Sequence, residues 1–439
     1  MNQQCSDVES AVMLRILFLL VVVSIRTNVL AENWPCWRGP RGDGTSGESQ
    51  IPVKWNGETG EGIAWKVPIP GKGHSSPIVW EDRVFITTCI EESRERALLC
   101  LNRVDGELLW QTTVAVSPLE KKHSLNSFAS GTPATDGETI YVTFLVSGKH
   151  DEEAKAAQKE ASATAATLLV VAYDMQGEKI WSAEPGGFAS VHGFCSSPVI
   201  YQDLLIVNGD HDGDSYVAAL NRKSGETVWR VPREHQTRSY CTPLIRSING
   251  KDQMVLTGSK RIASLNPLTG STNWLIEGPT EQFVSSMVYD GTAFYMTAGF
   301  PTYHVMSVRP DGIGDVTKSH VIWHSEVARC YVPSPVLVDD KLFVADDQGT
   351  VNCFDTATGD RLWKDRLGNH YSGSLVTANG FAYFPADDGI VAVVKPGATL
   401  EVVDRNPLGE YSYASPAISN GHIFIRGEQH LFSIGAAGQ

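Results

Sequence analysis

Short apolar runs bounded by turn residues recur along the chain. Thr139 to Phe144, Leu204 to Val207, Ser215 to Leu220 and His422 to Ile425 have the length and β-branched content of strands. Between such runs stand Asp136-Gly137, Asn249-Gly250, Asp290-Gly291, Asn379-Gly380 and Asn420-Gly421. These pairs supply the positive φ angles that two-residue hairpins demand. A longer unit is clearest from Ala219 to Trp229: a small residue, an apolar one, Asn or Asp, three variable positions, Gly, and Trp four places later. It reads as strand, tight turn and strand, closed by an aromatic plug. The same spacing runs from Cys100 to Trp110 through Asn102 and Gly106, from Ser264 to Trp274 through Asn266 and Gly270, and from Cys353 to Trp363 through Asp355 and Gly359. A shorter copy ends at Trp181 and a stretched one, past Gly312, at Trp323.

Each unit begins with a small residue followed by Ser or Thr. The eight hydroxyl positions are Ser76, Thr132, Ser197, Thr242, Ser286, Ser334, Ser374 and Ser415. Strands crowded around an axis leave room only for small side chains there, and a hydroxyl can also satisfy backbone groups. The pattern predicts an all-β fold, an eight-bladed β-propeller of four-stranded antiparallel blades over residues 62–436. The last unit lacks its outer strand, and Gly62-Ile63-Ala64-Trp65 is an orphan strand ahead of the first. That segment is expected to complete blade eight and close the ring. Trp65, Trp110, Trp181, Trp229, Trp274, Trp323 and Trp363 are the expected blade-docking residues. Blade seven has Val402-Val403 where its Trp would fall, so its outer strand is expected to be the least protected. Blade two carries an insertion, 147–167, rich in Ala, Lys and Glu, which reads as a short helical or mobile excursion.

Composition narrows the function classes. A formal net charge of −14 excludes the basic surface of a nucleic-acid binder. The apolar run Met13 to Ile25, followed by Val29-Leu30-Ala31, reads as a secretory signal peptide over residues 1–31, too short for a stable membrane span. Residues 1–12 hold Asp7 and Glu9 but no Lys or Arg, which points to Met13 as the start. The mature chain is therefore expected to be periplasmic or secreted, without a membrane span and without a lipid-anchoring Cys motif. Residues 32–61 form a leader rich in Trp, Gly and Pro, expected to lie along the propeller wall because Trp34, Trp37 and Trp55 need apolar cover. After cleavage Cys36, Cys89, Cys100, Cys195, Cys241, Cys330 and Cys353 remain. Cys89 and Cys100, on adjacent strands of one hairpin, are the candidate disulfide.

The unit small-x-[Asp/Asn]-x-x-x-Gly-x-x-x-Trp resembles the tryptophan docking motif of the pyrroloquinoline quinone (PQQ) repeat propellers, and the resemblance covers roughly residues 62 to 436. Two branches matter. One contains PQQ-dependent alcohol and glucose dehydrogenases; the other is the non-catalytic branch typified by the outer-membrane-protein assembly lipoprotein BamB. The leader with Trp37-Arg38-Gly39-Pro40 is similar to that of a set of secreted PQQ-like repeat proteins. The dehydrogenase branch implies PQQ and calcium as cofactors, but its adjacent-cysteine pair and its calcium ligands find no match in this chain. The expectation is a monomeric, non-catalytic scaffold with a protein partner at one face, with a PQQ-dependent oxidoreductase and a structural envelope component as alternatives.

In a four-stranded meander the start of strand one and the turn between strands two and three lie on one face. That rule collects His74, His192, Arg238, Tyr240, Arg329, His370, Tyr371 and Tyr413 around a central funnel, with Asp346, Asp347, Asp387 and Asp388 further out. Such a funnel suits an anionic or aromatic ligand. Asp210, Asp212 and Asp214 alternate as hard-cation ligands do, although the spacing departs from a calcium loop and an ordinary hairpin tip is the simpler reading. No nucleophile elbow, phosphate loop or His-Glu-x-x-His motif is present.

Overall fold

The computed structural model describes residues 32–147 and 164–436; the predicted signal peptide and most of the blade-two insertion lie outside the described residues. Eight antiparallel sheets follow one another in sequence order, each a four-stranded meander. In blade three the strands are Val199–Tyr201, Leu204–Gly209, Tyr216–Asn221 and Thr227–Pro232. Its second strand is buried throughout, because neighbouring blades cover both faces, whereas the fourth exposes alternate residues at the rim. Blade eight takes its fourth strand from the chain start: Ile63–Pro68 pairs with His430–Ile434, with Pro68 opposite His430. Closure thus leaves no open sheet edge between first and last blades. Blade four gains a short fifth strand, Gly314–Asp315, parallel to Trp274 and Leu275, supplied by the stretched unit of blade five. No helix among the described residues is long and apolar enough to cross a membrane.

The eight hydroxyl positions form a closed belt. Ser76 donates its backbone N–H to Thr132 Oγ1 at 2.9 Å, Thr132 to Ser197 Oγ at 3.1 Å, Ser197 to Thr242 Oγ1 at 3.1 Å and Thr242 to Ser286 Oγ at 3.1 Å. Ser286 continues to Ser334 at 2.9 Å, Ser334 to Ser374 at 2.9 Å, Ser374 to Ser415 at 2.8 Å, and Ser415 returns to Ser76 at 3.0 Å. Innermost strands have no sheet neighbour on the axial side, so their N–H groups would otherwise be orphaned. A hydroxyl on the next blade meets that need at every step.

At the rim, each closing Trp docks on the following blade. Trp65 Nε1 donates to Arg103 O at 2.9 Å, Trp181 to Arg222 O at 3.0 Å and Trp323 to Thr356 O at 2.8 Å. Trp110, Trp229, Trp274 and Trp363 make the equivalent bonds to Met175, Pro267, Pro310 and Gly397. The motif glycine carries the docked ring: at Gly359, φ is +76° and an added Cβ would lie 2.5 Å from Trp323 Cδ2. Positive φ and the close ring together demand glycine here.

The leader departs from the expected course along the wall. Trp34 exchanges backbone hydrogen bonds with Val79 of blade one, and Pro35 O accepts from Thr135 of blade two. Asp43 pairs with Arg246 of blade four at 2.7 Å, and Arg38 donates to Pro335 O of blade six. Gly44 and Ser46 bond to Thr377 of blade seven, and Glu48 accepts from Asn420 and Gly421 of blade eight. All these partners follow the belt residue of their blade, so residues 34–48 cross beneath one mouth of the ring. Arg38 is fully buried in this crossing, and burial pulls its pKa down to about 10. Only the next stretch runs along the wall. Trp55, 2% exposed, packs with Tyr383, Val391, Val393 and Leu408, and its N–H donates to Asn406 Oδ1 at 2.7 Å. The leader covers only the far end of the outer strand of blade seven, Glu401–Pro407, through Asn406 and Pro407, while Glu401, Val403 and Arg405 remain exposed.

Two smaller expectations are corrected. Cys89 and Cys100 are free: Cys89 faces Arg96 and Cys100 faces Phe85, four residues apart in register. At about 3.3 Å per residue that offset separates them by roughly 13 Å, too far for a disulfide. Of the insertion, residues 164–167 belong to the long strand Thr164–Asp174, paired through Val146 opposite Thr167.

Candidate functional site

Above the belt, on the side of the strand-one starts, opens a cavity of about 680 Å³. Its wall follows from the two-residue period of a strand. Counting back two from each belt residue gives His74, Ser130, Cys195 and Tyr240, then Val284, Val332, Ser372 and Tyr413, and all eight line the cavity. Counting back four reaches Arg238, Gln282 and His370, which form a higher, more polar tier. Five belt hydroxyl residues, Ser76, Thr132, Thr242, Ser374 and Ser415, line it lower down. Trp37 also lines it. Because the leader crosses the opposite mouth, this indole is the floor of the funnel.

Of the residues expected at the funnel, His74, His192, Arg238, Tyr240, His370 and Tyr413 are brought together there. Tyr371 is not. It sits an odd number of residues before Ser374, so its ring turns from the axis into the core beside Leu375 and Phe384, fully buried. Arg329 is exposed and not part of the lining. Asp347, expected further out, lines the cavity itself, with Trp37, His123, Gln282, Phe300 and Tyr331 as further members that sequence reasoning did not name. Gln282 was within reach of the two-residue count; Trp37 belongs to a segment without period and gave no signal.

The charges are held individually. Arg238 Nε donates to Asp212 Oδ1 at 2.8 Å, and its Nη1 lies 3.4 Å from His192 Nε2. His370 Nδ1 lies 2.7 Å from Asp387 Oδ2, a hydrogen bond that raises the imidazole pKa. Asp387 also accepts from Ser372 N–H at 2.7 Å and from Ser372 Oγ at 2.8 Å. Burial, reinforced by Arg426, pulls His74 down to about 3, so it is neutral at physiological pH. His192 is likewise lowered, by burial and Arg238. The Asp347 carboxyl is pushed up to about 6 by burial, against the pull of the Val332 N–H. His74 and Tyr413 pack with ring centroids 4.6 Å apart and planes tilted by 34°, and Tyr413 stacks on Tyr411 at 6.5 Å. The result is an aromatic funnel with one guanidinium, imidazoles at His74 and His192 that burial holds neutral, an imidazole at His370 whose charged form Asp387 favours, and a carboxyl with a raised pKa.

Asp210, Asp212 and Asp214 do not converge on a common point. Asp210 is fully buried against Arg233 at 3.0 Å, Asp212 holds Arg238, and Asp214 accepts from Gln236 at 3.4 Å. Among the described residues, the one group of three side chains spaced to share a metal ion is His304, His324 and Glu326 on blade five. A PQQ and calcium pair finds only part of what it needs in the funnel. Trp37 offers a flat surface for a planar quinone, but calcium takes 6–8 oxygen ligands. Among the described residues the lining supplies one carboxylate, Asp347, and Asp387 nearby is already engaged by His370 and Ser372, so the charged oxygen donors that hold calcium are too few.

Comparison with known proteins agrees with this architecture. The family model described as outer membrane protein assembly factor BamB matches residues 45–162, 147–290 and 315–432. Among solved structures, BamB from Moraxella catarrhalis superposes with a TM-score of 0.57 at 13% identity, covering 84% of this chain and 98% of that one. A europium-containing methanol dehydrogenase superposes with a TM-score of 0.60, also at 13% identity, covering 91% of this chain and 90% of that one. At such identity these likenesses concern the fold. No curated protein matches the chain in sequence. The repeat, the belt, the docked tryptophans and the family match over most of the ring agree: the chain belongs to the BamB family of PQQ-like repeat β-propellers.

Proposed function

We propose that the protein is a periplasmic or secreted, monomeric, non-catalytic scaffold whose funnel receives an aromatic or anionic side chain of a protein partner. The observation carrying this reading is the composition of the funnel wall: Tyr240, Tyr331, Tyr413 and Trp37 surround a single guanidinium, Arg238. Aromatic and Arg side chains are the typical anchors of protein interfaces, and 680 Å³ holds one or two inserted side chains. The name of the matched family, an assembly factor, points the same way. A second reading, a quinone-dependent oxidoreductase, is favoured by one feature, the Trp37 floor, and by the methanol dehydrogenase likeness in fold.

A paired titration separates the two. Protein beginning at Glu32 is titrated with PQQ, with and without calcium, following Trp fluorescence and then alcohol- or sugar-driven dye reduction. In parallel, short peptides ending in an aromatic residue with a free carboxylate are titrated by calorimetry. The scaffold reading expects saturable peptide binding that weakens in Arg238→Ala and Tyr413→Ala, with no dye reduction. Turnover with PQQ and calcium refutes it, as does peptide binding indifferent to both substitutions.

A further inference from the structure

Blade five carries a second cluster, distinct from the funnel. Its third and fourth strands, His304–Val308 and Val321–Ser325, pair with Val305 opposite Ser325 and Met306 opposite His324. One further step along the ladder sets Glu326 opposite His304, with His324 as its diagonal neighbour. All three share a face of the pair, the separation at which cross-strand side chains meet. His304 Nδ1 lies 2.8 Å from His324 Nε2. Glu326 Oε1 lies 3.6 Å from the first and 3.9 Å from the second.

Two imidazole nitrogens at 2.8 Å have room for one proton between them, so at least one presents a lone pair. The other nitrogen of His304, Nε2, is 2.7 Å from Thr302 Oγ1. That hydroxyl donates onward to Thr280 Oγ1 at 3.2 Å, which leaves its own lone pair for Nε2–H. The tautomer so favoured holds the proton on Nε2 and points the Nδ1 lone pair at the cluster. A ligating histidine steadied through its other nitrogen by an oxygen is the usual outer-shell arrangement of a metal site. We propose that His304, His324 and Glu326 bind a divalent transition ion of the zinc class.

Metal–nitrogen bonds of 2.0–2.1 Å in a tetrahedral site set ligand-to-ligand edges of roughly 3.3 Å. The two carboxylate edges, 3.6 and 3.9 Å, close by about 0.3 and 0.6 Å, and the imidazole pair opens by about 0.5 Å on losing its shared proton. His324 and Glu326 are exposed enough to move, with side chains 35% and 68% accessible, while His304 is anchored at 5%. Two nitrogens and one oxygen select zinc, cobalt, nickel or copper over calcium and magnesium, which prefer oxygen alone. Water completes the coordination on the exposed side.

The test uses the chain from Glu32, free of any polyhistidine tag, titrated with zinc chloride by calorimetry and with cobalt chloride by visible absorption. One equivalent of each ion is expected to bind, cobalt with the intense bands of a tetrahedral site. His324→Ala and Glu326→Gln, both at accessible positions and checked for an unchanged melting profile, are expected to remove that equivalent. Thr302→Val, which touches only the steadying oxygen, is expected to weaken binding about 10- to 100-fold. Lack of saturable binding below about 100 μM ion overturns the proposal. So does one-equivalent binding that survives both ligand substitutions, since the ion would then sit elsewhere, for example at the adjacent rings of His123 and His192.

Discussion

Replacing Ser334 with Ala removes one acceptor from the belt and nothing else from the channel wall. Ser334 is fully buried, its Oγ accepts the Ser286 N–H at 2.9 Å, and it does not line the funnel. The substitution leaves the Ser286 N–H without its partner in a packed interior, which costs about 1–3 kcal/mol. At about 2.1 cal/mol/K of unfolding entropy per residue, a ring of roughly 375 residues carries about 0.8 kcal/mol/K, so the melting midpoint falls by about 1–4 °C. Ser334→Thr keeps the acceptor and, since Thr already serves at Thr132 and Thr242, is expected to stay near wild type. Differential scanning calorimetry on the three proteins reads the effect directly. An alanine variant melting together with wild type, or a threonine variant as impaired as the alanine one, refutes the account of the belt as a set of obligatory hydrogen bonds.

Other expectations follow from the same geometry. Trp65→Ala loses a ring 8% exposed and its bond to Arg103 O, so it is expected to cost about 3–5 kcal/mol of unfolding free energy, read from denaturant titration, with Trp65→Phe milder. Gly359→Ala and Gly250→Ala share a positive φ, +76° and +74°, but only the first meets a ring, so the difference in their stabilities measures the Trp323 contact alone. Asp347 has a folded-state pKa raised to about 6, so the stability it contributes is full below the ordinary carboxylate range and is lost as pH rises through about 6. Asp347→Asn is expected to flatten the stability profile between about pH 4 and 6, and carbon-detected NMR of the carboxyl should titrate near about 6. Thiol titration is expected to find Cys89 and Cys100 silent in the native protein and reactive after unfolding without reductant, because both are buried and free.

What the sequence made legible has a common physical origin. The belt hydroxyls and the Gly-Trp units are set by local sterics that recur in every blade, so spacing alone placed them. The funnel was half legible. Residues an even number before the belt, such as His74, Arg238 and Tyr413, face the axis, whereas Tyr371, near in sequence but an odd number before it, turns into the core. Contacts between segments remote in sequence were hidden. The Trp55 N–H reaches Asn406 across most of the chain, and no periodicity in residues 32–61 announces it. Register was equally hidden: Cys89 and Cys100 sit on neighbouring strands but out of step, while His304 and Glu326 are in step across an irregular connection that the repeat spacing could not bridge.

The leader's crossing has a consequence for how this propeller can evolve. Repeat proteins commonly gain or lose units by duplication, since each repeat contacts only its neighbours. Here residues 34–48 touch blades one, two, four, six, seven and eight in one pass. The segment is a gauge of fixed length laid across the circle. An inserted ninth blade would widen the mouth and carry Thr377 and Asn420 out of reach of Gly44 and Glu48, so blade number is held by a diameter as well as by a circumference.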